Sequence, residues 1–134
     1  LNGVKIFKFT SFIRKSFMTN QEHIIDAEGK SLGRVATEAA ILLRGKNDAT
    51  FERHIAGTAK VKVINASKIK LLNNKLNTKY YKHYSGYPGG MKKEMMAQVV
   101  TKKGYGEVFR KAIYGMLPGN KLRPLMMKNL TILD

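Results

Sequence analysis

The stretch "HIIDAEGKSLGRVATEAAILLRGK", His23 to Lys46, decides how the chain folds. Its first residues, His23 to Asp26, form a short apolar run of strand character that ends in a glycine-containing turn. From Ser31 the period changes. Leu32, Val35, Ala36, Ala39, Leu42 and Leu43 recur at the spacing of one helix face, for about three turns. Gly45 follows as a helix-ending residue that accepts a left-handed backbone, and Arg44 sits where a cation favours the negative end of the helix dipole. Strand, turn and helix in that order are the unit of an α/β domain.

The unit recurs downstream. "AKVKVINA" alternates lysine and valine from Lys60 to Val63, which predicts a strand with one wet face. "SKIKLLNNKLNTK" reads either as a short helix or as a strand with an Asn-rich turn, and the tyrosine-rich segment after it starts extended and runs into the glycine loop "GYPGG". Three helical segments are expected next. They run from about Lys93 to Lys103, from Tyr105 through Met116, and from about Lys121 to Asn129 with Pro124 in the first turn, where proline is tolerated. "LTIL" can add a closing strand. Strands alternating with helices predict a single α/β domain with a small, largely parallel sheet over residues 23–134.

Residues 1–22 precede it as a basic arm or presequence remnant. Lys5, Lys8, Arg14 and Lys15 stand there among Phe7, Phe9, Phe12 and Phe17, with no acid before Glu22. Basic, hydroxylated and acid-free is the composition of a mitochondrial transit peptide, so the mitochondrial matrix is favoured over a bacterial cytoplasm. A basic arm that orders on a partner, or residues upstream of a start at Met18, are the other readings.

Charge narrows the function. The 134 residues hold 25 Lys+Arg against 9 Asp+Glu, a formal net charge of +16, which favours a polyanionic partner. Between Glu52 and Glu94 there is no acid, while Arg53 and the lysines at 60, 62, 68, 70, 75, 79, 82, 92 and 93 accumulate. A solvated surface mixes signs, so this run fits that reading poorly. Within it lies "KYYKHYSGYPGGMKK", residues 79–93, where Tyr80, Tyr81, Tyr84 and Tyr87 interleave with lysine and glycine. Lysines neutralise phosphates, tyrosines offer ring faces to unstacked bases and hydroxyls to riboses, and Gly86, Gly89 and Gly90 let backbone approach an anion. Folded RNA suits this better than a DNA groove. Two of the four tyrosines, Tyr80 or Tyr84 among them, are expected to alternate into the core.

Other classes fit badly. With no cysteine there is no disulfide or thiolate site, and His23, His54 and His83 lack metal-ligand spacing. No apolar run is long enough to span a bilayer. The acids form no close pair for acid–base work, so no catalytic residue, metal, cofactor or small-molecule substrate is expected. "GKSLGR" is a weak phosphate-loop signal and the only support for a nucleotide-binding enzyme.

"IIDAEGKSLGRVATEAAILLRGK", "VKVINASKIKL", "KYYKHYSGYPGGMK" and "AIYGMLPGNKL", in that order from Ile24 to Leu133, resemble the bacterial-type protein 13 family of the large ribosomal subunit, uL13. The tyrosine–glycine segment and "GMLP" are the specific parts, and "KGYGE" and "NKLR" look closer to mitochondrial members. The resemblance implies a three-layer α/β/α domain without catalytic activity that binds large-subunit rRNA early in assembly, beside neighbouring large-subunit proteins. An extra-ribosomal regulatory RNA-binding role is the alternative. Together with the charge pattern it points to Lys30, Arg34, Arg44, Lys46, Arg53, His54, Lys75, Lys79, Tyr81, Lys82, His83, Tyr84, Tyr87, Gly89, Gly90, Lys92, Lys93, Lys121 and Arg123 as rRNA-binding residues. Two departures stand out. Where the family usually carries an acidic turn before the second strand, this chain reads "AGTAK", Ala56 to Lys60, and after "GNKL" it has Arg123 then Pro124 where many bacterial members continue with glycine then arginine.

Overall fold

A computed structural model describes residues 22–49, 51–72 and 74–134. The basic arm expected over residues 1–22 lies, apart from Glu22, outside the described residues. Strand β1 (Glu22–Asp26) leads through the Gly29 turn into helix α1 (Leu32–Arg44). A long connection then reaches β2 (Lys60–Ile64), followed by a 3-10 turn at Ala66–Lys68 and the four-residue helix α2 (Lys75–Thr78). Strands β3 (Tyr80–Tyr84) and β4 (Met91–Met95) precede the long helix α3 (Met96–Met116), the short α4 (Arg123–Lys128) and β5 (Leu130–Ile132).

The strands make two separate sheets. β1, β2 and β5 lie side by side in that order, all parallel, with Ile25 opposite Val63 and Val63 opposite Ile132. Register and alternation put Ile25, Val61, Val63 and Leu130 on one face, and all four are buried. Against them pack Val35, Ala36, Ala39 and Leu43 of α1, Phe109 and Ile113 of α3, and Leu117 and Met126. The opposite face carries Lys62 and Thr131 in the open, with Ile24 67% exposed. The mixed α/β class and the parallel sheet are therefore as expected. Of the three layers implied by the family resemblance, the described residues supply two, and the lysine–valine alternation of β2 marks which face stays wet.

Helix α1 ends as its sequence anticipates. Gly45 adopts φ 76°, its N–H donates to Leu42 O at 2.9 Å, and the Lys46 N–H donates to Ile41 O at 3.2 Å, a Schellman closure. The connection returns tightly over this end: a Cβ placed on Gly57 would lie 2.7 Å from Leu43 O. Asn129 Nδ2 pins that crossing by donating to Gly57 O at 3.2 Å.

One boundary differs from expectation. Met91–Met95 form an antiparallel strand against Tyr80–Tyr84, so the helix expected from Lys93 begins only at Met96. Methionine, lysine and glutamate are good helix formers, but pairing with β3 overrides that preference up to Met95. There the Met95 N–H donates to Gln98 Oε1 at 3.2 Å and the helix starts. The two helices expected on either side of Gly104 are both present within α3: Gly104 takes the non-helical φ 76° and ψ 176° and separates them at a kink. Below the bend Met96 and Val99 join Val108 in a small second core with Leu32, Leu71, Leu76 and Tyr81, while Phe109 and Ile113 enter the main one.

Candidate nucleic-acid interface

The β3–β4 ribbon stands apart from the parallel sheet and is tied to the domain at its base. The Met96 N–H donates to Lys79 O at 2.9 Å, and Tyr81 packs into the second core. Pairing runs Tyr80–Met95, Tyr81–Glu94, Lys82–Lys93, His83–Lys92 and Tyr84–Met91. Side chains alternate across a strand, so Tyr80, Lys82, Tyr84, Met91, Lys93 and Met95 share one face, and Tyr81, His83, Lys92 and Glu94 the other. All six residues of the first face are exposed. On the second face Tyr81 is half-buried, with Lys111 Nζ 4.4 Å and Lys79 Nζ 5.4 Å from its ring centre. Burial, and secondarily the nearby Glu107 carboxylate, push its phenol pKa up.

The inward tyrosine is thus Tyr81, whereas Tyr80 and Tyr84 point outward, the reverse of the sequence expectation for those two. Tyr87, 76% exposed, occupies the tip loop with Gly86 and Gly89, both at positive φ. Gly90 is less available, because its N–H donates to Tyr87 O at 3.0 Å.

The remaining basic residues separate into groups. Lys75 and Lys79 are exposed beside the ribbon, and Leu32 in the second core brings the start of α1, with Lys30 and Arg34, to the same part of the molecule. Lys30 lies 3.8 Å from Glu38. A second group gathers about 20 Å away at the other end of α1. It comprises Arg44 over the Phe51 ring at 5.7 Å, exposed Lys46 and Arg53, and His54 3.3 Å from Glu52. Lys121 is exposed in a third place. Arg123 is engaged internally, donating from Nε to Pro118 O at 2.8 Å and from Nη2 to Leu117 O at 2.9 Å, with its guanidinium over Tyr114 at 4.5 Å. It braces the "GMLP" turn, and sequence reasoning had no signal for that. Reasoning from sequence also missed Tyr80, Met91 and Met95, although strand alternation in "YYKHY" puts Tyr80 beside Lys82 and Tyr84.

Two amides of the "GKSLGR" turn are already engaged within the protein. The Gly29 N–H donates to Lys68 O and the Lys30 N–H to Ala27 O, each at 3.2 Å, while Lys30 O accepts from the Lys70 N–H at 3.0 Å. The Gly29 amide is consumed in joining the turn to the segment after β2, and the Lys30 amide in closing the turn on itself. Asp26, nearby, accepts from Asn65 Nδ2 and the Glu28 N–H, and these bonds hold its carboxyl below the usual carboxylate range. Among the described residues no three His, Asp or Glu side chains gather as a metal set, and no helix is long and apolar enough to cross a membrane.

The profile of Ribosomal protein L13 matches residues 20–134. The chain belongs to that family. It is 48% identical over 110 residues to the large ribosomal subunit protein uL13 of Clostridioides difficile, covering 82% of this chain and 76% of that one. It is 42% identical over 125 residues to the protein of the same name from Nitratiruptor, at 93% and 88% coverage. A third relative of that name, from Saccharopolyspora erythraea, is 44% identical over 115 residues, 86% of this chain and 77% of its own length. Family membership makes the chain a structural protein of the large ribosomal subunit rather than an enzyme.

Proposed function

We propose that this chain binds large-subunit rRNA through the β3–β4 ribbon and its basic surroundings, and so supports folding of the subunit beside neighbouring ribosomal proteins. The observation that carries the reading is the ribbon's outer face, where exposed tyrosines and lysines alternate without an acid. Lys82, Lys93, Lys75, Lys79, Lys30 and Arg34 supply phosphate contacts on that side, with Tyr84, Tyr87, His83, Lys92 and Gly89 around the tip. Arg44, Lys46, Arg53 and His54 form a second contact at the far end of α1, and Lys121 a third. Tyr81 and Arg123 act from beneath as supports. The particle is mitochondrial on this reading, favoured by the acid-free, phenylalanine-rich composition of residues 1–21.

Sedimentation of organelle lysate at ~0.5 M monovalent salt tests it, since that salt screens loose charge contacts but leaves proteins embedded in rRNA. Co-sedimentation with the large subunit is the expected result. Recovery at the top of the gradient would instead point to a free RNA target outside the ribosome.

A further inference from the structure

We propose that the outer face of the β3–β4 ribbon is a base-stacking platform for unpaired nucleotides of a single-stranded RNA segment, rather than a rail for duplex phosphates. This rests on the RNA-binding reading above and specifies its ligand. Three observations carry it.

The first is composition by face. Tyr80 is opposite Met95 and Tyr84 opposite Met91, so two aromatic–thioether pairs flank the opposed lysines Lys82 and Lys93. A surface made only to hold phosphates needs the lysines but not the four large apolar side chains, which are 47%, 37%, 58% and 53% exposed in that order. Tyrosine rings and the polarisable sulfurs beside them are matched to the faces of bases.

The second is spacing. Four residues along an antiparallel strand separate Tyr80 from Tyr84 by ~13 Å. Consecutive stacked bases lie only ~3.4 Å apart along a strand, so the two rings cannot take neighbouring bases of a continuous stack. They suit bases that have left the stack, with the backbone between them passing the Lys82–Lys93 pair. A duplex presents no base faces, and the major groove of A-form RNA is too narrow for such a surface to read.

The third is charge. Lysines placed directly opposite each other repel, and here that repulsion is built into the centre of the ribbon. A phosphate between them removes it. The opposite face cannot serve the same purpose, because Tyr81 is turned into the second core with Lys111 over its ring.

Binding of the full chain to three probes tests the proposal: a single-stranded oligoribonucleotide, a duplex of equal length, and a strand of equal length with abasic sites replacing its bases. The expected result is that Y80A/Y84A weakens binding of the base-bearing single strand by about 30-fold, the lower end of stacking for two bases, and leaves the duplex and abasic strands unchanged. Y80F/Y84F restores binding, whereas K82A/K93A weakens all three probes. A thermal melt like that of the unsubstituted chain shows that the tyrosine variant is folded. Equal loss on every probe, or no loss on the base-bearing strand, overturns the platform while leaving RNA binding intact. Failure of the unsubstituted chain to bind any probe overturns both readings.

Discussion

Strand β2 of the parallel sheet and the two strands of the β3–β4 ribbon are each five residues long and carry lysine, yet they are opposite in design. In β2 the lysines alternate with Val61 and Val63, and the valines vanish beneath α1 and α3. On the outer face of β3 and β4 the residues that flank Lys82 and Lys93 are tyrosine and methionine, and they stay exposed. Alternation alone therefore does not say whether the second face is core. The side chains that could be buried must also find a partner layer, and only Tyr81 of the ribbon finds one. A lone two-stranded ribbon is marginal in water, so this one depends on its base and on what it binds.

The sharpest break of the comparison comes from paired truncations. Phe109→Ala removes a fully buried ring between sheet and helices and is expected to cost ~3–5 kcal/mol of stability by denaturant unfolding. Tyr84→Ala should stay within ~0.5 kcal/mol. A similar loss at Tyr84 would mean that the ribbon is part of the cooperative core after all.

Gly57→Ala forces a methyl group toward Leu43 O and the Gly45 amide, both backbone. A loss of ~1–3 kcal/mol is expected, as for other overpacked sites, with RNA affinity otherwise unchanged. The corresponding ribbon change, Lys82→Ala, should leave stability unchanged or raise it by up to ~1 kcal/mol by relieving the Lys93 repulsion. It should also flatten the salt dependence of RNA binding by a slope of ~0.7–0.9 for the phosphate released. Lower stability together with an unchanged slope would reassign Lys82 to a structural role.

The smallest effects are in pH. The Tyr81 phenol titrates above its ordinary value near 10.0 in the folded state. Its neutral form is thus favoured by folding, and stability falls as pH rises from the unfolded value through the folded one. Tyr81→Phe should remove that alkaline limb. Asp26 has the opposite sign: its folded pKa lies below 3.8, so its contribution is present above that value and fades as pH falls through the folded one. Asp26→Asn should flatten the acid limb. Thermal melts across pH measure both.

Much of this arrangement is legible in the chain itself. The helix from Leu32 and its Gly45 stop follow from period and backbone chemistry, and the acid-free run contains the ribbon proposed as the interface. Illegible were features set by distant partners. "MKKEM" has helix-forming residues and becomes strand only because "YYKHY" lies alongside. Which of two adjacent tyrosines turns inward depends on the position of α3. Arg123 reads as one more free cation until Leu117 O and Pro118 O are seen to claim it.

The register of β5 bears on how the protein is made. β2 pairs with β5 across some 70 residues of intervening chain, Val61 opposite Leu130. At ~5–20 residues per second, ribosomes need about 4–14 s to travel that distance, and until then one edge of β2 has no neighbour. An open strand edge invites other nascent chains to pair with it, and charged side chains along such an edge discourage them. Lys60 and Lys62 stand on that strand, so the cations that keep one sheet face wet in the finished domain also guard it during synthesis.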